Sequence, residues 1–478
     1  MRFRLLLALV VATLPGCLPA IDFDDDGGAP GNDAGSEAST AMDATTDAQG
    51  GSDATATGES GAVAFPVVNS LGGGFRHTCV LRDGGTIDCW GDDSDYQLGR
   101  GPASVDGTES RPAPVFGIHD AGITTNALEL HVGGYYSCIL LADTNDDAGT
   151  PYCWGDNGSA ELGANVDSAW APVPVISAVT QEPLSGIIRL DTGIWAACAL
   201  GTDGTWYCWG DNGPAPLVSG TYSPLLSNAT ASPKLAGASM VAVGSGHTCS
   251  IDAQGTVSCF GDNDHRQAGQ AMSSAECTYV NNEAGTPCIP NPLPVSGIAN
   301  AKQLALGIRS SCALVDDGGV LCWGSDATGE LGTWDGGGVG ATCPSPEGPP
   351  DAEAPCTEIP RLVPLPLPAV QITGAEDSDS VGASYCALLT DGRVFCWGSN
   401  DDGQLAIGNA DQGIHQVPGP ALNAQGTSLT GVVEVASGTQ HKCALLGDGG
   451  VLCWGTAGGD GALGTDAGAE YYALPVQW

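Results

Sequence analysis

Cys79-Val-Leu-Arg-Asp-Gly-Gly-Thr-Ile-Asp-Cys89-Trp90-Gly91 is the stretch that decides the fold. Two short apolar flanks surround an Asp-Gly-Gly centre, the pattern of a β-hairpin with a tight turn. Nine residues separate the cysteines. That spacing sets them opposite each other on antiparallel strands, where Cα atoms lie roughly 4.5–5.5 Å apart and a disulfide can form. The pattern recurs as Cys138 with Cys153, Cys198 with Cys208, Cys249 with Cys259, Cys312 with Cys322, Cys386 with Cys396, and Cys443 with Cys453. Six of the seven second cysteines open Cys-Trp-Gly; the fourth is followed by Phe260-Gly261. The third hairpin turns at Thr202-Asp-Gly204 and the fourth at Ala253-Gln-Gly255. The second carries five extra residues in a tip that includes Asp143-Thr-Asn-Asp-Asp-Ala-Gly149.

The first cysteines of successive copies lie 51 to 74 residues apart, and a period of that length marks a propeller or an array. After each hairpin come a loop and a Pro-Val-type strand, such as Pro174-Val175, Pro294-Val295 or Pro364-Leu365. A further apolar run follows, such as Val241-Ala-Val-Gly244. About four strands per unit, seven units and no amphipathic helix predict an all-β fold of radially arranged four-stranded blades. The last residues, Leu474-Pro-Val-Gln-Trp478, read as an inter-repeat strand with no repeat after it. They are predicted to join the first blade and close the ring, removing exposed sheet edges.

The strings His247-Thr-Cys-Ser-Ile-Asp-Ala-Gln-Gly-Thr-Val-Ser-Cys-Phe-Gly-Asp-Asn263 and Cys312-Ala-Leu-Val-Asp-Asp-Gly-Gly-Val-Leu-Cys-Trp-Gly324 resemble the repeat of the regulator of chromosome condensation (RCC1) family. That family's Gly-Gln-Leu-Gly ending appears as Tyr96-Gln-Leu-Gly99, Glu161-Leu-Gly163, Glu330-Leu-Gly332 and Ala462-Leu-Gly464. It is altered in the sixth repeat, Gly403-Gln-Leu-Ala-Ile-Gly408, and missing from the third. The resemblance covers residues 63–478 and implies a seven-bladed β-propeller.

Nineteen cysteines is an odd number, so one stands alone. Fourteen belong to the hairpins. Cys277 with Cys288, and Cys343 with Cys356, form local pairs in two long inserts. The remainder is Cys17. Arg2 and Arg4 precede an apolar run from Leu5 to Leu14, too short to span a membrane as a helix. Leu14-Pro-Gly-Cys17 resembles the lipobox of bacterial lipoproteins, with a proline that is unusual at its position. The resemblance implies a signal peptide at 1–16, cleavage before Cys17 and acylation of that residue. An ordinary signal peptide with a chance cysteine is the alternative. Leu18 resembles the outer-membrane sorting pattern. Nine disulfides belong in an oxidising compartment. The hairpin cysteines lack the Cys-x-x-Cys spacing of zinc sites. Residues 17–62 are read as the lipidated cysteine and a disordered acidic tether, since 18–62 hold no Lys or Arg and almost no large apolar residue.

The formal charge is −41, from 55 acidic and 14 basic residues, and nearer −43 once the signal is removed. Such a surface repels phosphate backbones, so no nucleic-acid partner is expected. The chromatin contacts and small-GTPase exchange of the family's eukaryotic founder are likewise not expected here. The acidity favours solubility, divalent cations or a basic partner.

Asp22, Asp24, Asp26 and Asp33 imitate a calcium loop, although an acidic tether produces such strings freely. Calcium is the one cofactor with any pattern behind it; no other cofactor and no further metal site are expected. Asp92, Asp93, Asp156, Asn157, Asp211, Asn212, Asp262 and Asn263 follow the Trp-Gly or Phe-Gly steps. They read as turn caps, with a ring of cation sites as the alternative. His77, His247 and His441 precede the first hairpin cysteine by two residues. They read as packing residues rather than catalytic or metal-binding ones. The motif tryptophans read as blade-to-blade packing with a hydrogen-bonded indole. Trp170, Trp195, Trp206 and Trp334 fall outside the motif, and Trp170 and Trp334 are candidate partner contacts. Gly459-Asp-Gly461-Ala-Leu-Gly464 matches a dinucleotide fingerprint but overlaps the repeat's own ending and has no helix after it. No catalytic residue is singled out. The inserts at 270–292 and 333–360 are either pre-organised binding loops or loops stapled against proteolysis.

These readings predict a lipid-anchored, extracytoplasmic interaction scaffold with no chemistry of its own. It would be a monomer held to the envelope by its lipid alone, its partner a protein of the envelope or beyond. Two alternatives remain open: an inhibitor of a secreted hydrolase, and a carbohydrate-active enzyme with carboxylates at the propeller mouth.

Overall fold

The hairpin read at Cys79 pairs His77–Arg82 with Ile87–Asp92, and Cys79 stands directly opposite Cys89. The other six hairpins repeat this register. Cys138 faces Cys153, Cys198 faces Cys208, and Cys249 faces Cys259. Cys312 faces Cys322, Cys386 faces Cys396, and Cys443 faces Cys453. All seven pairs are disulfide-bonded with Cα atoms 4.1 Å apart. That is slightly closer than the separation expected from the spacing alone, and the pairing is the one the sequence predicts. The computed structural model describes residues 68–478 apart from 102–106, 118–126, 144–147, 214–216, 219–224, 273–275, 278–285, 334–340, 345–352, 377–381, 457–460 and 466–467.

Each hairpin is flanked by one strand before it and one after it, giving seven four-stranded units among the described residues. In blade 1 the order is Val68–Gly73, His77–Arg82, Ile87–Asp92, Thr108–Pro114. The second and third units merge into one eight-stranded sheet through the single pairing of Gly149 with Ile187. Blades 4 and 5 each gain a short fifth strand inside their inserts, Glu276–Cys277 and Ala341–Pro344. The strand before each hairpin contacts its counterpart in both neighbouring blades, so the seven inner strands surround a central channel. Hairpin strands are buried on both faces because blades stack against each other. Their sequences are therefore near-continuous apolar runs such as Cys386-Ala-Leu-Leu389 instead of strict alternation.

Three expectations are corrected. The run at Val241 is not the last strand of its unit but the inner strand, Ala238–Val243, of the next blade. Pro364-Leu365 lies beyond the end of its strand, Glu353–Leu362, and Val363 takes the place that Val175 and Val295 hold elsewhere. The C-terminal residues do not join the first blade: Leu474 and Pro475 pair with Cys453 and Leu452 in the seventh. The ring is instead joined by side chains together with a backbone bond from the Thr439 N–H to the Gly74 carbonyl at 3.2 Å. Trp478 packs edge-on against Trp90 of blade 1 at 6.1 Å, under the Arg82 guanidinium. Complete four-stranded ladders at both chain ends make strand exchange unnecessary.

One joint recurs between blades. The motif tryptophan of each blade donates its indole N–H to a carbonyl in the preceding blade's Gly-Gln-Leu-Gly segment. Trp154 reaches Gln97, Trp209 reaches Glu161, Trp323 reaches Gln267, Trp397 reaches Glu330 and Trp454 reaches Gln404, all at 2.8–2.9 Å. Trp90 reaches Ala462 of the seventh blade at 2.9 Å and so closes the series. In five of these segments the residue after the carbonyl donates its own N–H to an Asx oxygen: Leu98 to Asp93, Leu162 to Asn157, Ala268 to Asn263, Leu331 to Asp326 and Leu405 to Asn400, at 2.9–3.2 Å. The Asx residues thus cap turns, as their recurrence suggested. In the sixth repeat Ala406 adopts φ +54° where other copies place glycine, and the Trp454 bond survives.

The third joint is the exception, and its two departures fall at one place. Blade 3 lacks the motif and blade 4 has Phe260, which cannot donate. Val218 donates to Asn212 at 3.2 Å, so Leu217-Val218 is the relic of the motif. The Leu217 carbonyl is satisfied by the Ser232 hydroxyl in place of an indole.

Candidate functional site

The strand directions divide the ring into two faces. Inner strands end where Gly73-Gly74 and their equivalents turn into the hairpins. The long loops between third and fourth strands open on that same side, here the loop face. The Asp-Gly turns occupy the opposite turn face. Between them the inner strands enclose about 590 Å³, lined in part by Glu129, His131, Asp191, Gln303, Gln371 and Glu434.

These polar channel residues act mainly as clamps between inner strands. Glu129 accepts from the Leu190 N–H at 2.7 Å, Gln303 exchanges two 2.9 Å bonds with Ile372, and Gln371 bonds both backbone groups of Val435. Glu434 accepts from the Leu71 N–H at 3.2 Å and joins blade 7 to blade 1. One blade further round from Glu129, Asp191 accepts from the Val243 N–H at 3.3 Å. Burial pushes the Asp191 carboxyl up to about 7 and raises that of Glu434. For Glu129 burial acts in the same direction, but the hydrogen bond from His131, that ring's charge and the Leu190 N–H outweigh it and lower its pKa. His131 and Glu129 approach to 3.3 Å. Each of the three carboxylates is thus tied to a backbone N–H of the neighbouring blade. No group of three or more His, Cys, Asp or Glu side chains that could hold a metal ion occurs among the described residues.

The loop-face mouth narrows to a recess of about 170 Å³ floored by glycines and flanked by Phe75 and Ile194. Phe75, Tyr135 and Trp195, from blades 1, 2 and 3, form an aromatic group. Phe75 meets Tyr135 edge-on at 4.8 Å and Trp195 edge-on at 5.8 Å, and Tyr135 and Trp195 lie 5.9 Å apart. Phe75 is buried, whereas Tyr135 and Trp195 are half-buried. The sequence offers a signal for this group only through the residues just ahead of each hairpin, where the blades differ most.

The histidines lie inside blade joints. His77 meets the Ser137 hydroxyl at 2.9 Å, His247 that of Ser311 at 2.8 Å and His441 that of Thr78 at 2.7 Å. Burial lowers the three pKa values to about 3, 4 and 3, so the rings are neutral at physiological pH. Trp206 bonds the Ala238 carbonyl of the next blade at 2.9 Å. Trp170 is 40% exposed on an outer strand and packs on Phe116 of blade 1 at 5.6 Å. Cys343 is bonded to Cys356, and Cys288 is disulfide-bonded. Trp334, Cys17 and the Asp22, Asp24, Asp26 and Asp33 string lie outside the described residues, as does the side chain of Cys277.

Comparison with known proteins agrees with this architecture. A family model described as the regulator of chromosome condensation (RCC1) repeat matches residues 391–445, and a second of that description matches 68–97 and 241–267. Protein pim1 of Schizosaccharomyces pombe is 26% identical over 375 residues, covering 73% of this chain and 62% of that protein. The probable E3 ubiquitin-protein ligase HERC4 of Homo sapiens is 28% identical over 179 residues, covering 37% of this chain and 14% of that protein. The RCC1-like G exchanging factor-like protein of Mus musculus is 26% identical over 336 residues, covering 66% of this chain and 64% of that protein. The chain therefore spans less than two thirds of each of these relatives. Among solved structures, human WBSCR16 superposes with a TM-score of 0.62 at 17% identity, covering 82% of this chain and 94% of that one. Yeast RCC1 (Prp20), solved bound to Kap60, gives 0.60 at 18% identity, covering 87% and 85%. At these identities the structures share the fold.

Proposed function

We propose that this protein, an RCC1-like repeat β-propeller, is a lipid-anchored extracytoplasmic interaction scaffold that presents its loop face to a protein partner of the cell envelope or beyond. The observation that carries the reading is a division of labour. Hairpin disulfides and Asx caps are engaged in holding each blade, and motif tryptophans and channel carboxylates in joining one blade to the next, which leaves the loops to vary. Eight disulfide-bonded cysteine pairs have both partners in the described ring, which supports an oxidising compartment. The basic start, the short apolar run and Cys17 support anchoring by acyl chains at the outer membrane. The channel carboxylates each accept from a backbone N–H of the neighbouring blade, which supports a scaffold that acts without chemistry of its own. It works as a monomer and binds no nucleic acid.

Two measurements test this. Labelled palmitate should enter the full chain and be lost in Cys17→Ala; incorporation that survives the substitution refutes the anchor. Pull-down from envelope extract with residues 63–478 should recover a partner, whereas turnover of a glycan panel without any partner would overturn the scaffold.

A further inference from the structure

We infer that the loop-face mouth over blades 1 to 3 is a docking surface for a basic protein segment, with a lysine or arginine side chain seated on Tyr135 and Trp195 between Asp156 and Asp211. The inference deepens the scaffold reading and rests on it.

The aromatic residues are not required by the blade. The position of Tyr135 and Trp195 is held in the other blades by Arg76, Gly246, Arg309, Ala383 and Gln440, all of which support the same strand geometry. Blade-to-blade packing is the work of the motif tryptophans and Trp206, which are fully buried, whereas Tyr135 and Trp195 keep part of their surface in solvent. Each is fixed beside an acid by the backbone: the Asp156 N–H donates to the Tyr135 carbonyl at 3.0 Å, and the Asp211 N–H to that of Trp195 at 2.8 Å. Trp195 and Asp211 also line one small recess with Ser245. An aromatic face with carboxylates at its edge is the chemistry that recognises a cation carried on an apolar stem.

Charge selects the sign of the partner. The chain carries −41 overall, and the loops here add to it locally: besides its burial, Asp95 of blade 1 has its pKa raised by Asp156 of blade 2 and by Asp92. Carboxylates of these adjacent loops thus repel one another, and a cation relieves that repulsion. Arg76 takes the equivalent place in blade 1, which confines the acidic aromatic surface to blades 2 and 3. The glycine floor keeps the recess open. A Cβ on Gly134 would lie 2.9 Å from the Ile194 carbonyl and 3.4 Å from the Phe75 ring.

The test uses the full chain and a fluorescein-labelled peptide of alternating arginine and glycine, followed by anisotropy from about 25 to 300 mM salt. Trp195→Ala should weaken binding about 3- to 30-fold, the range of a cation–π contact, while Trp195→Phe retains most of it. Asp156→Asn with Asp211→Asn should weaken it about fivefold or more and flatten the salt dependence. Asp203→Asn with Asp252→Asn, on the turn face, makes the same charge change and should leave binding unaltered. Equal losses from the two pairs, or wild-type binding by Trp195→Ala, would reduce the effect to non-specific attraction and overturn the inference. Circular dichroism confirms that each variant is folded. The peptide titration judges this surface alone, and the envelope pull-down judges the scaffold reading alone.

Discussion

Phe260→Trp, which restores the motif residue of the other six repeats, should destabilise the protein. In the other joints the indole N–H has a waiting carbonyl. At the third joint that carbonyl, Leu217 O, already accepts from Ser232. Phe260 is fully buried, and Lys234 lies 5.1 Å above its ring. A larger indole would have to displace neighbours to fit, which costs about 1–3 kcal/mol. If it also evicted Ser232, one net hydrogen bond of about 1 kcal/mol would merely be exchanged for another. The reverse change, Trp154→Phe, removes the donor to Gln97 and leaves a small void, and should likewise cost about 1–3 kcal/mol. Urea unfolding of residues 63–478, followed by circular dichroism with disulfides intact, reads both as shifts in midpoint at constant slope. A Phe260→Trp protein more stable than wild type would refute the reasoning, because it would show a joint with an unused acceptor.

Ring closure at Glu434 should tolerate Gln, whose carbonyl can still accept from Leu71 as Gln371 does from Val435. Glu434→Ala should lower stability by about 1–3 kcal/mol in the same unfolding assay. Acid should weaken the protein through His77, His247 and His441. Their folded pKa values lie below the ordinary 6.5, so the unfolded chain takes up protons first, and their contribution is complete above about pH 7 and lost as pH falls towards 4 and 3. Glu161 and Asp191, both raised to about 7, act in the opposite sense, stabilising the fold as pH falls from 7 to about 4.5. Below that the histidines act together with carboxylates whose folded pKa is lowered, Glu129 and Asp264 among them, so a stability–pH profile should fall most steeply below about pH 4.5 and fall less steeply in a variant with all three histidines changed to glutamine. Removing one hairpin disulfide by Cys79→Ala with Cys89→Ala, a pair wholly buried at a sequence separation of 10, should cost about 2–4 kcal/mol. An unchanged unfolding midpoint would show that the blade stack alone holds that hairpin.

The blades were legible because the hairpin carries its own ruler. Cysteine spacing, the Asp-Gly turn and a two-residue period together determine which residues face each other, and each copy repeats the test. Turn caps and buried histidines followed from their recurrence. The route of ring closure was not legible, because a terminal strand such as Leu474–Trp478 has the same apolar pattern whether it pairs forwards or backwards. The choice depends on whether blade 1 already has its inner strand, which Val68–Gly73 supplies. The mouth aromatics were hidden for a related reason. Phe75, Tyr135 and Trp195 belong to no shared motif and meet only when three blades are placed side by side.

This contrast bears on where function can reside in a repeat propeller. A residue present in every blade has a task that every blade needs, and here those tasks are covalent clips, turn caps and joints. Departures from the repeat then fall into two kinds. Some are compensated within the frame, as Phe260 is by Ser232 and the lost glycine motif by Leu217-Val218. Others have no counterpart that the frame demands, as with Tyr135 and Trp195. The first kind should behave as coupled pairs in double-mutant cycles of stability. The second should leave stability nearly unchanged and alter binding, and that separation is the physical distinction between a repaired scaffold and a surface built upon it.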